Sequence, residues 1–181
     1  MLDGARIDLP STALCGSTSV SAEQFRGAFA QFATTVSVIA TDGSAGRAGV
    51  TCSAVCAVSD TPATLLVCVH GKSAANPIIK ENGVLSVNCL DAEQRDLSQA
   101  FAGMGGLPMA QRFALEHWDV LATGAPYCRN ALVALDCNLT EVREVGTHSI
   151  FIAKVVATMA RPEGTPLIYQ RRAYATTRTL A

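Results

Sequence analysis

Residues 47–54 of the chain read Arg47-Ala48-Gly49-Val50-Thr51-Cys52-Ser53-Ala54, a glycine turn followed by a strand. Strand interiors usually carry large β-branched and aromatic side chains that pack on their neighbours. This strand instead carries two small hydroxyls, on Thr51 and Ser53, which point to the same side because strand side chains alternate. The stretch therefore predicts a surface on which a flat polar heterocycle can lie, with hydroxyls and backbone amides at its edge.

About seven strands and two or three short helices are predicted around this stretch. Capping boxes at Ser21/Gln24 and Asp91/Gln94 mark two helix starts. Apolar side chains at helical spacing predict helices over residues 22–33, 73–82 and 92–102, with Pro77 limiting the second to a turn or two. Alternating apolar runs predict strands over residues 34–41, 50–59, 64–69, 84–90, 131–143, 148–160 and 166–169.

The spacing of these elements favours a mainly β fold. Long hairpins with apolar alternation are typical of a closed or partly open antiparallel β-barrel with a few short helices. The competing architecture is a doubly wound parallel sheet. It is disfavoured because helices do not alternate regularly with strands and no G-x-G-x-x-G follows the first strand.

Length and composition indicate one domain. The chain has 181 residues, of which 49% are hydrophobic, and a formal net charge of −1 with both signs well mixed. We expect no nucleic-acid partner because no basic excess appears, and no membrane span because no apolar run approaches about 20 residues. Residues 1–20 lack a signal-peptide pattern and are interpreted as a flexible leader before a single domain over 21–181.

The seven cysteines contain no C-x-x-C pair, and three histidines offer no zinc-ligand spacing. No metal site is therefore expected. Most of the cysteines lie in apolar strand-like runs, where cysteine acts as a small hydrophobe. An odd number of cysteines without a disulfide framework predicts a reducing, cytoplasmic setting.

A series of ordered motifs resembles the short-chain flavin reductase family, the reductase partners of two-component flavin-dependent monooxygenases. The resemblance extends from Phe25 to Tyr174. After an aromatic helix, the motifs are FATTVSV (32–38), GVTCSA (49–54), VSDTPATLLVCV (58–69), VLSVNCL (84–90), FAG (101–103), RF (112–113) and GTHSIF (146–151).

The resemblance implies a split β-barrel of the FMN-binding type, with Greek-key antiparallel strands and a homodimer that holds the flavin near its interface. It also implies that NADH or NADPH passes a hydride to FMN or FAD, and that free reduced flavin diffuses to a partner oxygenase. Such a transfer needs two stacked rings and no general base, because the cofactor supplies the chemistry. The absence of a catalytic triad or carboxylate pair in the sequence agrees with this.

On the flavin side, the resemblance identifies five groups of candidate residues. Thr51 and Ser53 are the natural donors to the negative charge of a reduced flavin, and the group His70, Lys72 and Ser73 suits a phosphate. Thr-Thr at 34–35 departs from the glycine that family members often have there. The candidates on this side are Thr34, Thr35, Val36, Val50, Thr51, Cys52, Ser53, His70, Lys72, Ser73, Asn88, Arg112 and Phe113.

Several of these candidates also have plain structural interpretations. Thr51 and Ser53 suit an ordinary half-exposed strand. Ser73 suits a helix N-cap in a solvated turn. Asn88 is either a structural bridge or a flavin contact, since a buried amide needs partners. Arg112 and Phe113 suit an ordinary loop contact as well as the phosphate and the ring of a flavin.

On the nicotinamide side, the turn Gly146-Thr147-His148 resembles a Gly-Asp-His-like turn of the family. His148 is the candidate catalytic residue, although a lone histidine is more often structural. Thr147 stands where an acid is common, and its hydroxyl can still donate or accept. Tyr169, Arg171 and Tyr174 are further candidates, with Arg171-Arg172 suited either to dinucleotide phosphates or to a dimer surface.

Two alternative functions remain open at the level of sequence. One is a flavoprotein that keeps its flavin bound and passes electrons to another acceptor, such as the cobalt of a corrinoid. The other is a non-catalytic flavin- or haem-binding split barrel. The sequence does not choose between FMN and FAD or between NADH and NADPH.

Overall fold

The structure is a computed structural model that describes residues 19–180. The predicted leader (1–20) and Cys15 lie outside it, apart from residues 19 and 20. The helices are α1 (Ala22–Phe29), α2 (Ala75–Asn82), α3 (Arg95–Phe101) and α4 (Met109–Phe113), with 3-10 turns at Ala92–Gln94 and Met104–Gly106. The strands are β1 (Thr34–Thr35), β2 (Ser37–Thr41), β3 (Ala48–Cys52), β4 (Val55–Asp60), β5 (Ala63–His70), β6 (Val84–Cys89), β7 (Trp118–Val120), β8 (Pro126–Cys128), β9 (Val133–Val145), β10 (His148–Ala160), β11 (Ile168–Gln170) and β12 (Ala173–Ala175).

Seven strands form one antiparallel sheet in the order β3-β2-β6-β9-β10-β5-β4. The two strands at its ends, β3 and β4, are consecutive in the chain and are separated only by Ser53 and Ala54. The Cys68 N–H donates to the Ala54 carbonyl at 3.0 Å, so the chain begins to pair with β5 directly after β3 ends. The connections β3–β4 and β5–β6 skip neighbouring strands, as in a Greek key. The predicted split β-barrel is confirmed, and the doubly wound parallel alternative is wrong.

The predicted single strand over 50–59 is wrong. At Ser53-Ala54 the chain leaves β2, the partner of β3, and joins β5, the partner of β4. Strand propensity along this run is continuous, so the break comes from barrel closure rather than from a local turn residue. Residues 47–54 therefore lie at the seam of the barrel.

The core has two parts, one on each side of the barrel wall. Side chains of the seven-stranded sheet fill the interior, with α2 packed at one end through Ala75 and Ile79. Outside the wall, Val38 and Ala40 of β2 pack against α3 and α4 through Phe101 and its neighbours. This outer layer also includes β8, part of the small β7–β8 pair that the sequence did not predict.

The predicted helix starts are confirmed, because both capping boxes form. Pro77 lies in the first turn of α2, where its missing N–H costs no hydrogen bond. Helix α1 is shorter than predicted, ending at Phe29, and none of its residues is buried. Its phenylalanine row therefore does not pack in the core of this chain.

No helix in residues 19–180 is long and apolar enough to cross a membrane.

Candidate functional site

A cleft of about 690 Å³ lies on the outer face of β3, between α3 and the β11–β12 turn. We call it the first cleft. Thr51 and Ser53 both line it, as their alternation predicted. The Thr51 hydroxyl donates to the Ser98 carbonyl at 2.6 Å and so ties β3 to α3. Ser53 is exposed, and its hydroxyl has no hydrogen-bond partner within residues 19–180, so it is the donor that remains available to a ligand.

The opposite wall is one face of α3. Arg95, Ser98, Gln99 and Ala102 line the first cleft at positions i, i+3, i+4 and i+7. Sequence reasoning missed all four. The signal was present, because these polar and small residues alternate at helical spacing with Leu97 and Phe101, which are buried.

The β11–β12 turn closes the third side. Tyr169, Arg172 and Tyr174 line the first cleft, and the two tyrosine rings lie 5.3 Å apart. The Tyr174 hydroxyl is 3.0 Å from Ser98 Oγ, and the Arg95 guanidinium lies 5.7 Å from the Tyr174 ring centre. These contacts hold the β11–β12 turn against α3. The guanidiniums of Arg95 and Arg172 therefore both lie at the first cleft.

Arg171 and Arg172 have φ angles of 50° and 63°. The left-handed region is costly for residues with a side chain, and such strain is concentrated at functional sites. Their side chains separate: Arg172 lines the cleft, whereas Arg171 Nε donates to Gln31 Oε1 at 2.9 Å. The structure therefore places the predicted candidate Arg171 as an anchor for the chain after α1 and brings Arg172 to the cleft.

A smaller recess of about 330 Å³ adjoins the first cleft at Ala102. It brings together five predicted residues, namely Val50, His70, Lys72, Ser73 and Arg112. The Lys72 N–H donates to His70 Nδ1 at 3.0 Å, so the other ring nitrogen of a neutral His70 carries the proton. Ser73 is not the N-cap of α2, which is Ala74.

His148 lies beside this recess. His148 and His70 are opposite one another on β10 and β5, and their ring centres are 4.9 Å apart. Thr147 Oγ1 is 2.9 Å from His148 Nδ1, so the threonine hydroxyl is within hydrogen-bond distance of this ring nitrogen. Gly146 adopts a φ of 57° in the β9–β10 turn. The residues predicted to contact the nicotinamide therefore lie in two places. Tyr169 and Tyr174 line the first cleft, whereas His148 does not.

Three predicted contacts have side chains that are buried elsewhere. Asn88 is a structural bridge: its amide donates to the Val38 carbonyl at 3.0 Å and accepts from the Cys128 N–H at 2.8 Å. Phe113 packs edge-on against Phe101 at 5.0 Å between ring centres. Cys52 points into the barrel, where burial raises the pKa of its thiol to about 11. The side chains of these residues do not reach the first cleft.

The predicted residues before β2 lie at the margin of the site. Val36 lines the first cleft, although only 2% of it is exposed. Thr34 donates through its hydroxyl to the Tyr169 carbonyl at 3.3 Å and faces a neighbouring cleft. Thr35 is exposed and pairs with Ile168.

The first cleft is electropositive. Within residues 19–180, neither Arg95 nor Arg172 has a carboxylate within ion-pair distance. Guanidiniums without a partner suit a phosphate, which they can bind in a bidentate manner. In the same part of the chain, no cluster of three metal-ligating side chains occurs.

A model of the flavin reductase like domain matches residues 29–178. The chain belongs to the flavin reductase family. The resemblance found in the sequence is therefore confirmed.

This flavin reductase family member is similar to proteins of known role. It is 44% identical over 158 residues to the FMN reductase (NADH) RutF of Stutzerimonas stutzeri strain A1501, covering 87% of this chain and 90% of that one. It is 38% identical over 151 residues to the 4-hydroxyphenylacetate 3-monooxygenase reductase component of Escherichia coli, covering 83% and 89%. The solved structure of BorF, the flavin reductase component of a bacterial two-component tryptophan halogenase, matches with a TM-score of 0.80 and 28% identity, covering 88% of this chain and all of that one.

The residues of this family member fit a flavin. The first cleft offers the short side chains of Thr51 and Ser53, the available hydroxyl of Ser53, and two guanidiniums, of Arg95 and Arg172, that form no ion pair within residues 19–180. Short side chains leave room for a planar heterocycle, and the hydroxyl and guanidiniums are donors that suit its polar edge and an anionic tail.

Proposed function

We propose that this protein is an NAD(P)H:flavin oxidoreductase that reduces FMN with NADH and supplies the reduced flavin to a partner oxygenase. The observation that carries the proposal is the first cleft, whose lining combines the Ser53 hydroxyl with the guanidiniums of Arg95 and Arg172. Hydride transfer between two rings needs positioning and exclusion of competing reactions rather than proton transfer by side chains. The named activities of the curated relatives support the same conclusion.

Each wall of the cleft has a defined task in this proposal. A bound flavin supplies the hydride-accepting ring. Ser53 donates a hydrogen bond to the ring edge, where negative charge develops on reduction. Arg95 and Arg172 bind the phosphate. Thr51 keeps α3 at its distance from β3 through its bond to the Ser98 carbonyl.

The activity is tested with purified protein, by following the loss of nicotinamide absorbance with each pair of NADH or NADPH and FMN or FAD. We expect the fastest turnover with NADH and FMN. Absence of turnover with every pair would refute the proposal. A flavin that stays bound and passes electrons faster to a corrinoid than to free flavin would favour the alternative in which the flavin is a fixed prosthetic group.

His148 is proposed to contact the nicotinamide from the recess side. The variant His148→Ala should raise the KM for NADH by about tenfold, because the loss of one hydrogen bond costs about 1.4 kcal/mol. The Kd for FMN should stay within about twofold of the wild-type value. The control is His117→Ala, since His117 is also exposed but, unlike His148, makes no ring contact with His70 of the recess. A collapse of FMN binding in the His148 variant would assign this residue to the flavin instead.

We also infer a homodimer, because the middle of the outer face of β4, β5 and β10 is apolar, between the His70–His148 pair and the Thr64–Lys154 pair. Strand alternation points Cys56, Leu66, Cys68, Ile150 and Ile152 away from the barrel core, and the pairing register places them side by side. In a barrel surrounded by water, the side chains that point outward from the strands are normally polar. His70 and His148 lie on the rim of this face, so a second copy packed there would border the recess.

The proposed setting is the cytoplasm. All six described cysteines are free thiols, which suits a reducing compartment.

A further inference from the structure

A row of three phenylalanines runs along α1 and the residues that follow it, outside the core. Phe25, Phe29 and Phe32 are 59%, 54% and 61% exposed. Their rings stack on one another, with centres 5.5 and 4.9 Å apart and planes inclined by 27° and 22°. The row therefore presents aromatic surface that no part of residues 19–180 covers.

This row lines a second cleft of about 520 Å³. The second cleft continues into the first, because Ser53, Tyr169 and Arg172 line both. Arg26 joins Arg172 in its lining, and no carboxylate of residues 19–180 does. A ligand that fills the first cleft can thus extend past two cations onto an aromatic surface.

The second cleft is a built feature, because its two sides are joined by three hydrogen bonds. The Arg171 N–H donates to the Ala30 carbonyl at 2.7 Å, and Gln170 Nε2 donates to the Gln31 carbonyl at 2.8 Å. Arg171 Nε adds the bond to Gln31 Oε1. The strained backbone at Arg171 and Arg172 fixes the end of α1 against the turn that carries Arg172.

We propose that the second cleft binds the adenylate half of a dinucleotide whose other half lies in the first cleft. A purine stacks on aromatic faces, and the phosphates between the halves meet Arg172 and Arg26. Two molecules carry this half, NADH and FAD. The inference rests on the proposed oxidoreductase function.

The first experiment measures binding of ADP by isothermal titration calorimetry, which requires no turnover. We expect ADP to bind the wild type and to bind Phe29→Leu on the order of tenfold more weakly, because leucine keeps the apolar bulk but has no π face. Arg26→Gln should weaken ADP binding as well. The controls Leu115→Ala and Arg178→Gln alter an exposed apolar and an exposed cationic side chain away from the cleft and should leave it unchanged.

The second experiment identifies the source of the adenylate. If NADH supplies it, Phe29→Leu raises the KM for NADH but leaves kcat/KM for reduced nicotinamide mononucleotide unchanged. If FAD supplies it, the variant weakens FAD binding but not FMN binding, measured by flavin fluorescence. A wild type that oxidises neither NADH nor reduced nicotinamide mononucleotide refutes the oxidoreductase function. The ADP titration is independent of this outcome, because it measures binding without turnover.

Three outcomes would overturn the inference. They are a wild type that does not bind ADP, a Phe29→Leu variant with unchanged ADP, NADH and FAD affinities, and a variant that changes sedimentation from dimer to monomer. The last outcome would assign the phenylalanine row to a contact between copies of the chain.

Discussion

Gly49 is the residue that allows α3 to lie on the barrel wall and so shapes the first cleft. A Cβ at this position would lie 2.6 Å from Phe101 Cε1 and 3.2 Å from the Ile39 carbonyl oxygen. The Phe101 ring is buried and packs against Phe113 and Trp118, so it cannot shift without displacing them. Glycine is thus required here by a close approach rather than by a turn.

The variant Gly49→Ala should lower the free energy of unfolding by about 1–3 kcal/mol, because overpacking displaces Phe101. It should also weaken flavin binding, since α3 carries one wall of the cleft. Urea denaturation and flavin fluorescence measure the two effects. The control is Gly27→Ala, where nothing lies within 4 Å and alanine favours the helix, so no loss of stability is expected. Equal stabilities for wild type and Gly49→Ala would contradict this role for Phe101.

The sequence predicted site residues correctly where the two-residue alternation of strand side chains decides which way they point. The period placed Thr51 and Ser53 on one side of β3, but it could not show that the Thr51 hydroxyl is already bonded to Ser98. Arg95 was missed because its role depends on the packing of α3 over β3. Asn88 and Phe113 looked available for binding because the sequence does not show the layer of α3, α4, β7 and β8 that buries them.

At the level of elements, an ion pair joins α2 to the β9–β10 hairpin. Lys80 Nζ lies 2.7 Å from Glu144 Oε1, and Ser149 Oγ donates to the same carboxylate at 2.9 Å. The hydrogen bond from Lys80, and then that from Ser149, lowers the pKa of Glu144. Since the folded pKa is below the unfolded one, this group stabilises the fold above its unfolded pKa and loses that contribution as the pH falls through the folded pKa.

The variant Glu144→Gln should therefore have a slightly lower Tm than the wild type near neutral pH, with the difference vanishing in acid. The effect is small because the pair is exposed. Thermal unfolding followed by circular dichroism from neutral pH to below the usual glutamate range measures it. Glu163→Gln, which changes an exposed carboxylate without an ion pair in residues 19–180, is the control. A Tm difference that persists unchanged in acid would exclude ionisation of Glu144 as its origin.

The elements themselves show where sequence patterns stop. Long hairpins such as β9–β10 were predicted because alternation continues over many residues, and the capping boxes located α1 and the turn before α3. The division of 50–59 into β3 and β4 was not predictable, because barrel closure acts between distant strands. Strands β7, β8 and β12, each of three residues, are too short to show a period.

For the molecule as a whole, the two sides of the barrel wall differ. Helices α3 and α4 cover the outer face of β2, and the outer face of β4, β5 and β10 has no such layer within residues 19–180. Its apolar side chains form the surface on which we infer the homodimer. Because His70 and His148 border that surface, assembly and nicotinamide binding should be coupled.

The variant Ile152→Glu tests this coupling. Ile152 points away from the barrel core between Leu66 and Glu141. A carboxylate there should cost the monomer only a screened repulsion from the exposed Glu141, but be costly to bury against a second copy. Sedimentation should show a dimer for the wild type and a monomer for the variant, with a higher KM for NADH in the monomer. The control is Val120→Glu, at a position 52% exposed on β7. A wild type that is monomeric at every concentration, or a variant that remains dimeric, would show that this face is not the interface. An unchanged KM for NADH in a monomeric variant would show that dimerisation does not affect NADH binding at His148.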